Sequence, residues 1–313
     1  MKIIHGHLPE GAAWRVLLCH DPEHPSPLLW QLGLTLAQAN KGEMIPVTLV
    51  PNEDEHPSDE VTNFPDVADS LTTYVDINPL TIAPSDLSKS LNHLIKEVGA
   101  DLLLVQAHTA EQDWFKKVSC MTGVLHSESD DPISLDRILV PTSGSLNTAS
   151  RLRFLMPLTN KLSITALYVA KEQHAGYNEQ QKAQQRLRRL LNYVDAGDNV
   201  QAEIRLAESP SAAIAEIQSE YDLIVLGRQS SRFLQRAFLN GTVPELVATF
   251  RKPVLVIHPA FSMSQEILRR LDWGIQMIVP NLAPEERIQT YMRIRRNARP
   301  TRDFYILISL SAM

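Results

Sequence analysis

Residues Ile224 to Ser230 read IVLGRQS, and residues Leu239 to Pro244 read LNGTVP. The first stretch is an apolar run that ends at Gly227, and the second places Gly241-Thr242 directly before a new apolar segment. This order predicts a strand, a polar loop and the N-terminus of a helix. Glycines let backbone N–H groups approach an anion closely, and a helix N-terminus favours negative charge. The pattern therefore predicts a phosphate-binding loop and favours a nucleotide as ligand.

The same loop carries Arg228, Arg232 and Arg236. If the chain is helical after Ser231, a spacing of four residues places Arg232 and Arg236 on one side. Two interpretations are open, because these side chains could contact phosphates or pair with glutamates and water. The glycines on both sides of the loop favour phosphate contact.

The composition is that of an ordinary globular protein. The chain has 313 residues, enough for about two domains, and 44% of them are hydrophobic. The net charge of −6 argues against a dedicated nucleic-acid binder. Cys19 and Cys120 are the only cysteines, too few for a disulfide framework or a thiolate metal site, so we expect a reducing compartment. The N-terminal residues have no long apolar core, so no secretory signal is expected.

Apolar runs typical of buried strands alternate with segments of helical periodicity, which predicts parallel pairing and a doubly wound α/β sheet. Ser85 and Ser209 are predicted helix N-caps, and Gly99 is predicted to end the helix that Ser85 begins. Residues 51–86 are acidic and rich in Pro, Ser and Thr, which predicts a long loop with one short strand at 71–75. The predicted strands are 14–19, 44–50, 101–106, 137–141, 163–169, 200–206, 222–226 and 253–257, and the predicted helices are 25–40, 85–98, 145–158, 178–194, one that begins at 209, and 243–250.

The two halves of the chain resemble each other in sequence. RVLLCHDPEHPSPLLWQL, which begins at Arg15, parallels RILVPTSGSLNTASRL, which begins at Arg137. VGADLLLVQAHT, which begins at Val98, parallels SEYDLIVLGRQS, which begins at Ser219. An internal repeat of one domain length is the simplest explanation.

The second half, from residue 134 to about residue 260, resembles a universal stress protein domain. That family has a five-stranded parallel α/β fold, and its signature is a Gly-x-x-Gly loop after the fourth strand followed by a Gly-Ser/Thr pair. Gly227 matches the first glycine, and Gly241-Thr242 match the final pair. PVLVI at 253–257 matches the last strand, which in the family often forms a dimer interface. The resemblance implies ATP or another adenine nucleotide as ligand, and either a homodimer or an intramolecular domain pair through the last strand.

The resemblance also implies the ligand-binding residues. Ser230 stands where the family has its second loop glycine, and the loop is one residue longer. Ser143 stands where the family has an Asp that contacts adenosine, and a serine keeps one hydrogen bond but no charge. The implied nucleotide-binding residues are Thr142, Ser143, Gly144, Val169, Gly227, Arg228, Ser230, Gly241, Thr242 and Val243.

The first half departs from the family in the opposite way. Asp21 matches the adenosine-contacting Asp, but the fourth strand continues into the residues QAHT at 106–109 and lacks both loop glycines. We therefore expect the first half to be a partner fold that binds no nucleotide.

Other polar clusters favour structural roles. His20, Asp21, Glu23 and His24 follow a strand and suit zinc by chemistry, or a nucleotidyl-transfer site, but a polar loop is the favoured interpretation. Residues 143–145 read SGS, which is better explained as a turn and a helix cap than as a nucleophile turn. No acid/base pair with a nucleophile is found near the loop, so we predict neither catalysis nor a bound metal.

The last fifty residues differ from the rest. Five arginines in 293–302 directly precede the apolar, uncharged stretch FYILISLSAM at 304–313. The stretch is about half the length that spans a bilayer, and flanking arginines are typical of the cytoplasmic side of a membrane helix. Residues 292–305 resemble the entry to an uncharacterised family of bacterial polytopic membrane proteins. Three interpretations are open: an interfacial helix on an anionic membrane surface, the start of a membrane span, or a final core strand.

Together these features predict two tandem Rossmann-like, universal stress protein-like α/β domains followed by a helical, membrane-proximal tail. The domain bounds are 1–126, 134–261 and 262–313, and only the second domain carries the phosphate loop. The predicted function is a non-enzymatic, nucleotide-binding stress-response or regulatory module at the cytoplasmic face of the inner membrane. It would be coupled to a membrane domain or membrane surface through the tail and bind no nucleic acid. The alternative is a scaffold that uses the same fold for assembly and binds no nucleotide.

Overall fold

The computed structural model describes most of the chain up to residue 258. The ranges it describes are 2–6, 14–20, 26–50, 75–83, 86–107, 118–129, 133–142, 146–171, 177–197, 199–227 and 250–258. All of them belong to one compact unit, Met1–Ala260.

The described residues contain twelve strands and five α-helices. The strands are β1 (Lys2–His5), β2 (Arg15–His20), β3 (Glu43–Leu49), β4 (Asp76–Ile77), β5 (Leu80–Ala83), β6 (Leu102–Gln106), β7 (Met121–His126), β8 (Arg137–Thr142), β9 (Ser163–Lys171), β10 (Val200–Ala207), β11 (Leu223–Gly227) and β12 (Val254–His258). The helices are α1 (Pro27–Ala39), α2 (Leu87–Val98), α3 (Leu146–Leu155), α4 (Tyr177–Tyr193) and α5 (Pro210–Ile217), and a 3-10 turn at Met156–Asn160 follows α3.

The strands form one sheet in the order β1-β5-β3-β2-β6-β7-β12-β11-β8-β9-β10, with β4 paired to β3 outside this path. Each half contributes a set of five neighbouring strands. The strand of each set that comes first in the sequence, β2 or β8, lies in the centre, and later strands lie on both sides of it. The order β5-β3-β2-β6-β7 in the first half is the same as β10-β9-β8-β11-β12 in the second. Pairing is parallel within each five-strand set, and β7 and β12 pair antiparallel where the halves meet.

A pair of aspartates shows the repeat at the level of single bonds. The Asp101 carboxylate accepts a hydrogen bond from the Arg15 backbone N–H at 3.0 Å, and the Asp222 carboxylate accepts one from the Arg137 backbone N–H at 2.8 Å. The backbone N–H of each aspartate donates in turn to the carbonyl of the same arginine. The two sequences that parallel each other therefore fold into matching strand starts.

Helix α1 of the first half contacts the 3-10 turn of the second half. Gln31 on α1 forms two hydrogen bonds with the backbone of Ile133, one from its amide to the carbonyl at 2.6 Å and one from the Ile133 N–H at 3.1 Å. Lys161 donates to the Gln38 side chain at 2.7 Å. The two halves are thus joined on a helical face as well as through the sheet.

The alternation of strands and helices is confirmed, and several predicted boundaries hold. Ser209 caps α5 by accepting from the Ala212 N–H, with Pro210 in the first turn. Gly99 ends α2 in the left-handed region at φ 63°, a conformation that glycine adopts without steric cost. The predicted helix 243–250 falls outside the described residues except at its last position.

Five elements correct the sequence predictions: β1, β4, β5, β7 and the start of α2. The segment predicted as a long loop contains β4 and β5, and β5 pairs with β3 on one side and with β1 on the other. Strand β7 was not predicted, because a glycine and polar residues interrupt its apolar pattern. The N-cap of α2 is Asp86, whose carboxylate accepts from the Lys89 N–H at 3.1 Å, rather than Ser85. The short strands β1, β4 and β5 depend on pairing partners that are distant in sequence.

None of the helices in the described part of the chain combines the length and apolar character that a bilayer crossing requires. The predictions for 262–313 lie outside the described residues.

Both cysteines are buried in the core of the first half. Burial raises the pKa of each thiol from 9.0 to about 12. The neutral thiol is therefore the form that the fold accommodates, and a thiolate nucleophile at neutral pH is not expected from either residue.

The buried thiols predict slow alkylation and a pH-dependent stability. Both thiols should resist a thiol reagent at pH 8 in the native protein and react after denaturation.

Because the folded pKa of each thiol lies above its unfolded pKa, the contribution of the buried neutral thiols to stability is complete below about pH 9 and is lost as the pH rises toward 12. Urea midpoints between pH 8 and 11 should fall less steeply in a Cys19→Ala/Cys120→Ala protein; an unchanged slope would contradict the assignment.

Candidate functional site

The point where the second half of the sheet reverses its strand order lies between β8 and β11. From β8 the chain proceeds to β9 and β10 on one side and later returns to place β11 and β12 on the other. Leu223 and Ile224 of β11 are opposite Ile138 and Leu139 of β8, so both strands run in the same direction. In open parallel α/β sheets, ligands bind at the carboxyl ends of the strands at such a point.

Three of the residues that the sequence implied for nucleotide binding are described, and all three lie at this edge. Thr142 is the last residue of β8, and Gly227 is the last residue of β11. Val169 on β9 follows Tyr168, the residue opposite Thr142. All three are buried. The other implied residues, Ser143, Gly144, Arg228, Ser230, Gly241, Thr242 and Val243, lie outside the described residues and stay predictions.

Gly227 is needed at this position because the side chain of Arg151 passes over it. A Cβ added to Gly227 would lie 2.6 Å from Arg151 Nε and 2.9 Å from its Cδ and Cζ. Contacts that short do not occur between real side chains, so any larger residue at 227 would displace the arginine. The glycine that the sequence assigned to a phosphate loop thus also makes room for a guanidinium.

Arg151 lies on α3, the helix that follows β8, and its side chain is 3% exposed. Nη2 donates to the Thr148 hydroxyl at 2.9 Å, and Nη1 donates to the Pro141 carbonyl at 3.4 Å. Burial lowers the pKa of the Arg151 guanidinium to about 10, which leaves it charged at neutral pH. A positive charge therefore lies beside the carboxyl ends of β8 and β11.

The sequence interpretation missed Arg151. The signal was present in α3, where Thr148, Ala149, Leu152 and Leu155 are buried and lie three or four residues apart. Position 151 falls on this same face, so helical periodicity places an arginine in a buried stripe.

The equivalent edge of the first half is built differently. Strand β6 ends in Gln106, a buried side chain, where β11 has Gly227. His20 at the end of β2 forms a hydrogen bond between its Nε2 and the Thr48 hydroxyl at 2.9 Å, and its ring contacts Trp30 edge to face. The ordinary packing of His20 supports the structural interpretation of that position.

No group of three or more His, Cys, Asp and Glu side chains with metal-binding geometry occurs in the part of the chain that the structure describes. Of the cluster His20, Asp21, Glu23 and His24, only His20 belongs to that part.

Residues 134–258 match the universal stress protein family. A protein of unknown function from Pseudomonas aeruginosa PAO1 has a similar solved structure, 14% identical, with a TM-score of 0.51 over 80% of this chain and 94% of that one. A universal stress protein from Archaeoglobus fulgidus DSM 4304 is 14% identical, with a TM-score of 0.52 over 79% of this chain and 96% of that one. No curated protein matches the sequence.

The family match over residues 134–258 agrees with the resemblance drawn from the sequence of the second half. The solved structures extend over both halves and confirm the fold class, an α/β fold with a mostly parallel central sheet.

Proposed function

We propose that the domain at 134–258 binds an adenine nucleotide at the carboxyl ends of β8 and β11, and that binding regulates the protein without chemical turnover. The observation that carries this proposal is the position of Gly227. It ends β11 beside the end of β8, at the reversal point of a parallel sheet. Nucleotides bind at this place in doubly wound folds.

The local chemistry supports a phosphate-bearing ligand. The N-terminal end of α3 follows β8, so the backbone N–H groups of its first turn and the helix dipole favour negative charge at this edge. Gly227 makes room for the Arg151 side chain at the end of β11, and the segment that continues from it to Gly241-Thr242 is predicted to wrap the phosphates. The Ser143 hydroxyl would supply one hydrogen bond to the nucleoside in place of a carboxylate.

The first half would serve as a partner fold in this proposal. At the point where the first half reverses its strand order, strand β6 ends in Gln106 rather than in a glycine. The last strand of this half, β7, is paired to β12. This pairing occupies one edge of β12 within the chain. A homodimer through the same edge would need β7 to leave, so we propose the intramolecular pair as the working arrangement.

Titration calorimetry tests nucleotide binding. We expect wild-type protein to release or absorb heat with at least one of ATP, ADP, AMP and cyclic dinucleotides. Gly241→Asp should weaken that binding at least about 10-fold, because a carboxylate would face the phosphates. Gly197→Asp is the matched control, since Gly197 is exposed and no described atom lies within 4 Å of a Cβ added there.

The second candidate function is a scaffold that binds no nucleotide. The continuous twelve-stranded sheet is compatible with it, because the pairing of β7 with β12 joins the two halves of the chain without a ligand. Folded wild-type protein that shows no heat with any of these nucleotides would exclude the sensor and leave the scaffold.

We also propose that residues 262–313 bring the domain to a membrane surface at the cytoplasmic face of the inner membrane. The arginines at 293–302 would attract anionic lipid, and the apolar stretch at 304–313 would enter the interface. Flotation with anionic vesicles should carry the full chain upward and leave a protein ending at residue 261 in solution. Equal soluble fractions would overturn this part of the proposal.

A further inference from the structure

Arg151 stands out because it is a buried cation at the proposed binding edge. Its guanidinium lies beside the end of β8, through the bond to Pro141, and beside the end of β11, through the close approach to Gly227. The side chain reaches toward the N-terminal end of α3, as the bond to Thr148 three residues earlier shows. The charge is therefore directed to the edge where the strand order reverses.

We propose that Arg151 is an anion-binding residue of this domain, and that its guanidinium binds a phosphoryl group held between the ends of β8 and β11. This inference rests on the proposed function and names the feature that the site recognises. In this inference the phosphoryl group is recognised mainly by the charge of Arg151, a residue of helix α3, in addition to the loop that follows Gly227.

The chemistry of the group suits this role. A guanidinium offers several N–H donors in one plane, which match the oxygens of a phosphate, and the hydrogen bonds are strengthened because both partners are charged. Two of the acceptors of the guanidinium, the Thr148 hydroxyl and the Pro141 carbonyl, are neutral and help to set its orientation before a ligand arrives. A buried charge also interacts more strongly with a nearby anion than an exposed one does, because water screens it less.

The surroundings point the same way. The positive end of α3 adds to the charge of Arg151 at this edge. The site should therefore prefer phosphorylated nucleotides to the corresponding uncharged nucleoside.

The test compares ATP, adenosine and inorganic pyrophosphate by calorimetry on wild type and Arg151→Met. Methionine keeps an unbranched, buried chain and removes the charge. We expect Arg151→Met to weaken ATP and pyrophosphate binding about 10- to 100-fold, the effect of losing a hydrogen bond between charged groups, and to change adenosine binding little. Arg151→Lys should recover part of the affinity.

Two further variants keep the result interpretable. Arg153→Met removes the same charge from the same helix, but Arg153 is exposed and stacks on Tyr193 at 4.3 Å, so its affinities should equal wild type. Gly227→Ala keeps the charge of Arg151 and displaces its side chain, so it should weaken pyrophosphate binding even if Arg151→Met fails to fold. Thermal unfolding of each protein shows whether it is folded.

The outcomes separate this inference from the proposed function. If wild type binds ATP and neither Arg151→Met nor Gly227→Ala lowers the affinity, the role of Arg151 is overturned and the function stands. If wild type binds pyrophosphate through Arg151 but no adenine nucleotide, the anion site stands and the nucleotide function fails. If wild type binds neither, both are overturned.

Discussion

Replacing Arg15 with methionine is expected to lower the free energy of unfolding by about 3–5 kcal/mol, the usual cost of removing one partner of a buried ion pair. Arg15 begins β2, and its side chain is 4% exposed. Nε donates to the Glu43 carboxylate on β3 at 2.8 Å, and Nη1 donates to the Val98 carbonyl at the end of α2 at 2.6 Å. The variant would leave Glu43 without this partner and the helix without a donor for one of its last carbonyls.

The repeat supplies a control for this prediction. Arg137 begins β8 as Arg15 begins β2, but it is half exposed and lies 3.7 Å from Glu220, which is also half exposed. Arg137→Met should therefore cost about 1 kcal/mol or less. Urea denaturation of both variants measures the difference, and Arg15→Met/Glu43→Gln should be more stable than Arg15→Met alone. Equal costs at positions 15 and 137 would contradict the assigned role of burial.

Replacing Gly123 with leucine is expected to destabilise the junction between the halves by about 1–3 kcal/mol through overpacking. Gly123 lies in β7 opposite Leu104 of β6 and Ile257 of β12. A Cβ added there would lie 2.8 Å from Leu104 Cδ2 and 3.1 Å from Leu255 Cδ1. A full leucine side chain has no space on this face, whereas alanine meets only the ends of side chains that can shift.

Thermal and urea denaturation of Gly123→Leu, Gly123→Ala and Gly197→Leu test this prediction. Gly197 is exposed, and among the described residues no atom comes within 4 Å of a Cβ added to it, so leucine there should change stability little. Gly123→Ala should fall between the other two. A Gly123→Leu protein as stable as wild type would show that the junction tolerates extra volume.

The candidate site divides into a part that could be predicted and a part that could not. The position of Gly227 at the end of a strand is predictable, because an apolar run followed by glycine is a local signal that a short window of sequence contains. The helical periodicity of α3 indicates that Arg151 is buried, but its contact with Gly227 could not be predicted, since β11 lies more than seventy residues further along the chain. The absence of the loop glycine from the first half is read directly from the sequence, and the expectation that this half binds no nucleotide stays a prediction.

The sequence by itself determined the alternation of strands and helices, the internal repeat and the position of the strand that ends at Gly227. These properties follow from the periodicity of apolar residues and from capping residues, both of which act over a few positions. Only the tertiary structure decided the antiparallel pairing of β7 with β12, the addition of β1, β4 and β5 to the sheet, and the location of Arg151. The physical reason is that strand pairing and burial are set by partners distant in sequence, which no local pattern specifies.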